Sequence, residues 1–132
     1  MGAIEGRVRE LIEAPNFATI TTLRKDGTPH ATVVWVDTDG EHVVLNSAEG
    51  RLWPRHLARD PRIAMTVMNL EDPYEFVEVS GRVVERTHDG ADEQIDRMEK
   101  KYRGNDRYPH KPGEQRVLFR VAPERVRHRS SG

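Results

Sequence analysis

The spacing of apolar and polar positions changes along this chain, and each change marks an element. Ile4, Val8, Leu11 and Ile12 recur at helical spacing, which predicts a short helix over an open end of the core, stopped by Ala14-Pro15-Asn16. Phe17 to Leu23 (FATITTL) is rich in β-branched residues and predicts a strand. The turn Arg24-Lys25-Asp26-Gly27-Thr28-Pro29 leads into a second strand, His30 to Asp37. Asp37-Thr38-Asp39-Gly40 predicts the next turn and Glu41 to Asn46 a third strand, so the opening reads as a three-strand meander. After the turn residues Ser47-Ala48-Glu49-Gly50, Arg51, Arg55 and Arg59 recur every four residues, as on one face of a helix closed by Asp60-Pro61. Ile63 to Met68 returns as strand. Tyr74 to Thr87 predicts a long strand whose Gly81 marks a bulge or bend. Ala91, Ile95, Met98 and Tyr102 share a helical face, Gly104 to Gly113 is an irregular loop, and Val117 to Val121 is a last strand.

Six strands with three helices in the connections predict a mainly β (α+β) fold, a six-stranded antiparallel barrel with end-capping helices. The chain has 132 residues, which suits a single domain over 1–132 with a modest core, and no repeat or linker argues for a second. A domain this small has little room to enclose a large cofactor, which points to a site between two subunits.

Composition narrows the chemistry. The net charge is -1 with 33% of residues charged, so no global field points to nucleic acid or to a membrane. The absence of cysteine excludes disulfides, thiolate metal sites and cysteine nucleophiles. The six histidines show no paired spacing, so no metal site is expected. No apolar stretch approaches the roughly 20 residues of a membrane span and no signal-peptide region opens the chain, so a soluble, cytoplasmic protein is expected. Serines occur without a nucleophile elbow, so no hydrolase is expected.

Locally, a helix start carrying Arg51 and Arg55 suits a phosphate, with a solvated basic face as the alternative. Trp35 alternates with Val33 and Ala31 on one strand face and reads either as core packing or as the wall of a ring pocket. Tyr102 reads as core. Tyr108, beside Pro109 in the long loop, is the candidate for substrate contact, and His30 reads as a substrate hydrogen-bond partner or as a surface histidine.

Four stretches carry a wider resemblance: FATITTLRKDGTPHATVVWVDTDG, GRLWPRHLARDPRIAMTV, DPYEFVEVSGRVVE and ADEQIDRMEKKYRGNDRYPHKPGEQRVLFRVAPERV. In this order they resemble the pyridoxamine 5'-phosphate oxidase-like split β-barrel family, and within it the F420-dependent (flavin/deazaflavin oxidoreductase, B-type) branch. The resemblance implies a split barrel, a homodimer with active sites at the subunit interface, and coenzyme F420, a deazaflavin, or alternatively FMN, as cofactor. It implies hydride transfer to a small-molecule acceptor with an electron-poor double bond or a quinone-type ring. A non-catalytic cofactor carrier is the other reading. Carried onto this chain, Asn46 and Ser47 make strand-end contacts and Arg51 and Arg55 grip phosphate. The ring lies along Thr32, Val33, Val34 and Trp35, Tyr74 and Phe76 approach from the fifth strand, of the same or of the partner subunit, and Tyr108 and His30 meet the acceptor. Relatives commonly place lysine or arginine two residues after Arg51. Here Trp53 stands there, stacking on the cofactor or packing in the core, so the helix brings one cation fewer.

Overall fold

In the computed structural model, which describes residues 3–130, the elements run α1 (Gly6–Glu13), β1 (Ala18–Leu23), β2 (Pro29–Val34), β3 (Asp37–Thr38), β4 (Val43–Ala48), α2 (Leu52–Arg59), β5 (Arg62–Met68), β6 (Phe76–Thr87), α3 (Ala91–Arg103) and β7 (Arg116–Arg129). All seven strands join one antiparallel sheet in the order β2-β1-β5-β6-β7-β4-β3, curled into a half-barrel. Side chains on a strand alternate between faces. Ile20, Met65, Val67, Val77, Val79, Leu45, Val117 and Phe119 therefore share the concave side and form the core, which α1 completes with Leu11 and Ile12 and α2 with Trp53 and Leu57.

The expected six strands are seven, and the expected opening meander is two separate hairpins. β2 stops at Val34 and pairs only with β1, while Asp37 and Thr38 pair with Val44 and Val43 at the far edge of the sheet. The cause is Val36. Its N–H donates to the Tyr102 hydroxyl at 3.0 Å and its carbonyl accepts from Lys101 Nζ at 2.5 Å, so α3 takes the groups that would have continued the ladder. The third predicted strand is consequently β4, and its partner is β7 rather than β2.

β7 reaches Arg129, well past the expected end at Val121. Its second half is polar, and it is held by pairing along β6 as far as Phe76 opposite Arg129. At that end Glu75 accepts hydrogen bonds from Arg7 at 2.6 Å and Asn69 at 3.0 Å and lies 2.8 Å from His128 Nε2. These partners, Arg7 foremost, hold the Glu75 carboxyl far below its ordinary range. Gly81 sits at a register shift in β6, as its sequence context predicts, and a Cβ there would lie 2.0 Å from the Ala122 carbonyl oxygen. Among the described residues no helix is long and apolar enough to cross a membrane.

Candidate functional site

The curl brings the C-terminal end of β2 opposite β4, although the two strands lie far apart in sheet order. Between them opens a cleft of about 240 Å³, lined by Val33, Val34, Trp35, Asn46, Ser47, Arg51, Trp53, Ile95, Arg103, Tyr108 and Arg116.

Its aromatic wall is held from α3. Gly90 and Gly104 flank this helix in left-handed conformations, and its acidic first turn and basic last turn suit the helix dipole. The Tyr102 ring stacks on Trp35 at 4.9 Å and on Phe17 at 5.4 Å, and its hydroxyl donates to the Asn16 carbonyl at 2.6 Å. Burial pushes the Tyr102 hydroxyl up to about 12. The Arg103 guanidinium lies 5.0 Å from the centre of the Trp35 ring while pairing with buried Glu99 at 2.8 Å. Tyr108 meets Trp35 edge-on at 6.4 Å, and its N–H donates to Asp96 at 2.8 Å, which ties the long loop to α3. Trp53, 8% exposed, packs on Phe119 at 5.1 Å, so it belongs to the core and to the cleft lining together.

The polar side is a chain of paired groups. Asn46 donates to the Ala91 carbonyl at 2.8 Å and to Gln94 Oε1 at 2.9 Å, and its own Oδ1 accepts from Arg116 Nε at 3.0 Å. Arg116 Nη1 donates to Glu114 at 3.1 Å, and the other oxygen of Glu114 accepts from Arg51 Nη2 at 3.3 Å. Burial alone would push the Glu114 carboxyl up, but the Arg116 hydrogen bond and the two guanidinium charges outweigh it and hold the group below its ordinary value. Arg51 is the residue capping α2. Pro54, in the first turn, has no N–H, so Leu52 and Trp53 supply the free backbone donors at that end.

Of the residues singled out from the sequence, Val33, Val34, Trp35, Asn46, Ser47, Arg51, Trp53 and Tyr108 meet in this cleft. Thr32 lies on β2 opposite Ile20, outside the lining. His30 stands edge-on to His56 at 5.3 Å, above the buried Thr22–His56 hydrogen bond, also outside it. Arg55 is exposed on α2. Tyr74, 74% exposed, lies in the β5–β6 turn and Phe76 opens β6; neither lines the cleft of its own chain. Ile95, Arg103 and Arg116 were not singled out. Ile95 showed only helix periodicity, and each arginine sits at the end of an element, where a cation reads as solvated.

The half-barrel thus carries a cleft lined by arginine and tryptophan side chains. The chain belongs to the pyridoxamine 5'-phosphate oxidase family, whose pattern it matches over residues 4–130. Among solved structures it is similar to an F420 reductase, at 27% identity and a TM-score of 0.83 over 93% of this chain and 98% of that one. It shares its fold with a putative pyridoxamine 5'-phosphate oxidase from Listeria innocua, 19% identical with a TM-score of 0.68 over 90% of this chain and 92% of that one. A conserved hypothetical protein from Mycobacterium tuberculosis has the same fold, at 20% identity and a TM-score of 0.72 over 97% of this chain and 86% of that one. No curated protein matches the chain.

Proposed function

We propose that this protein is an oxidoreductase that binds coenzyme F420 in the β2–β4 cleft and reduces an electron-poor double bond or quinone-type acceptor. The observation that carries the reading is the convergence in one cleft of Arg51, Ser47 and two tryptophans, in a chain similar over nearly its whole length to an F420 reductase. The donor set fits the cofactor: guanidiniums and backbone N–H groups suit a phosphate, and Trp35 and the apolar end of β2 suit a flat ring. The bound deazaflavin supplies the hydride chemistry. The chain's own residues bind and orient it: Arg51 holds charge at the mouth of α2, Trp35 walls the ring, and Tyr108 covers the acceptor side. FMN is the alternative cofactor, supported by the family to which the chain belongs. A carrier that binds without turnover is the alternative function.

The cleft is about 240 Å³, below the roughly 300 Å³ at which ligand sites begin, so a second copy completes it in this reading. The convex face of the sheet offers the contact. One row across it runs Val33, Thr19, Thr66, Glu78, Arg127 and the next Ala31, Thr21, Ala64, Ser80, Arg125. These side chains are mostly small, and Val33 is 63% exposed where this face meets the cleft. Phe76 opposes Met68 on the same face, so a two-fold dimer carries Tyr74 and Phe76 of one copy toward the cleft of the other.

Tryptophan fluorescence tests the reading, because Trp35 and Trp53 both line the cleft. Micromolar binding of oxidised coenzyme F420, with much weaker binding of FMN and acceptor-dependent oxidation of the reduced form, is expected. Preference for FMN moves the protein to the flavin reading, and tight binding without turnover to the carrier.

A further inference from the structure

We propose that Arg116 and Arg51 form a two-guanidinium clamp for a phosphoryl group, and that Glu114 closes this clamp with its own carboxylate until the phosphate displaces it. The inference rests on the cleft being the cofactor site and names the groups that take the cofactor's phosphate.

Arg116 is 4% exposed, yet it lines the cleft. A guanidinium is not buried unless it is held, and two of its nitrogens are: Nε donates to Asn46 and Nη1 to Glu114. Nη2 makes no hydrogen bond among the described residues, which leaves one edge of the fork for a ligand. Asn46, with both sides of its amide engaged, acts as a positioning residue that aims Arg116 and has little left for a ligand.

Glu114 places one oxygen on each arginine, the arrangement of a bridging oxyanion, and its contacts of 3.1 and 3.3 Å are longer than the roughly 2.7–2.9 Å of a tight charged pair. Two cations face one carboxylate, so the cluster keeps a net positive charge. A phosphate monoester has more acceptor oxygens and more negative charge than the carboxylate, a phosphodiester matches it with one charge and two free oxygens, and either competes for the same donors. Glu114 lies in the loop just before β7 with its N–H bound to the Lys111 carbonyl at 3.1 Å, so rotation of its side chain alone is enough to free both guanidiniums. Trp53 takes the position two residues after Arg51 into the core against Phe119, and the cation that shares Glu114 with Arg51 comes instead from β7.

The test uses ligand pairs that differ only by phosphate: FMN against riboflavin, and the 5'-phosphate of the deazariboflavin against the deazariboflavin itself. Binding to the intact protein is followed by tryptophan fluorescence. Glu114→Gln is expected to tighten the phosphate-bearing member of a pair at least threefold and to leave the phosphate-free member within a factor of two. Arg116→Gln is expected to weaken the phosphate-bearing member at least tenfold, toward its phosphate-free twin. Equal changes for both members, or unchanged or weaker phosphate-selective binding in Glu114→Gln, overturn the proposal. Arg116→Gln removes a buried contact to Asn46, so Glu114→Gln decides alone if that variant does not fold. If no cofactor binds the wild-type protein, the cofactor reading fails, and calorimetry with inorganic phosphate then judges the clamp. Tighter phosphate binding by Glu114→Gln than by wild type sustains it, and no gain overturns it.

Discussion

At the scale of single residues, arginines at helical spacing turn out to have different surroundings. Arg51 and Arg55 are one turn apart on α2, but only Arg51 lines the cleft, because the capping position turns it toward β4 and Glu114. Arg51→Ala is expected to weaken binding of the phosphate-bearing cofactor by about 1.5–3 kcal/mol, the worth of a hydrogen bond to a charged group. Arg55→Ala is expected to change it by less than about 0.5 kcal/mol. Equal losses in fluorescence titrations of the two variants would mean that Arg55 reaches the ligand. The spacing showed that a basic helix face existed. It did not separate these two roles, because partners such as Glu114 lie more than sixty residues away in sequence.

Elements depend on contacts from other elements. Gly81 was legible as a bulge in β6, and the reason is the close approach of the Ala122 carbonyl across the β6–β7 pair. Gly81→Ala is expected to cost about 2 kcal/mol or more in urea unfolding, since the new methyl meets backbone that cannot rotate away. The end of β2 was not legible, because side chains of α3 decide it. Lys101 donates to the carbonyls of Ile12 at 2.7 Å and Val36 at 2.5 Å, and burial lowers its ammonium to about 8. The unfolded chain, near the ordinary lysine value of about 10.4, binds more protons than the folded one between pH 8 and about 10. Stability from this group is therefore full above that window and lost as pH falls through 8. Unfolding free energy is expected to rise from pH 8 to about 10 relative to Lys101→Met. Parallel pH profiles for the two proteins would show that the charge on Lys101 is not felt.

For the whole molecule, the question is what covers the convex face. Ala64 is exposed near the middle of the face proposed to meet a second copy. Ala64→Arg is expected to convert a dimer to a 15.2 kDa monomer in light scattering and to weaken cofactor binding. The monomer should stay folded, with an unchanged circular-dichroism spectrum, and its melting temperature should fall only by the stability that the dimer contact contributed. A variant that stays dimeric and binds normally would place the interface elsewhere.

The sequence by itself determined the mainly β class, all three helices, the bulge at Gly81 and most of the β2, β4 and α2 residues that meet in the cleft. These rest on local signals: period, turn chemistry and residues that follow one another along a strand. Tertiary structure decided the rest. β2 and β4 part company because α3 takes the backbone groups of Val36. The polar half of β7 is strand because β6 lies beside it. Arg116 faces the cleft because Asn46, 70 residues earlier in the chain, holds its guanidinium there. Each of these is a pairing between distant parts of the chain, and such a pairing leaves no periodic trace in either part.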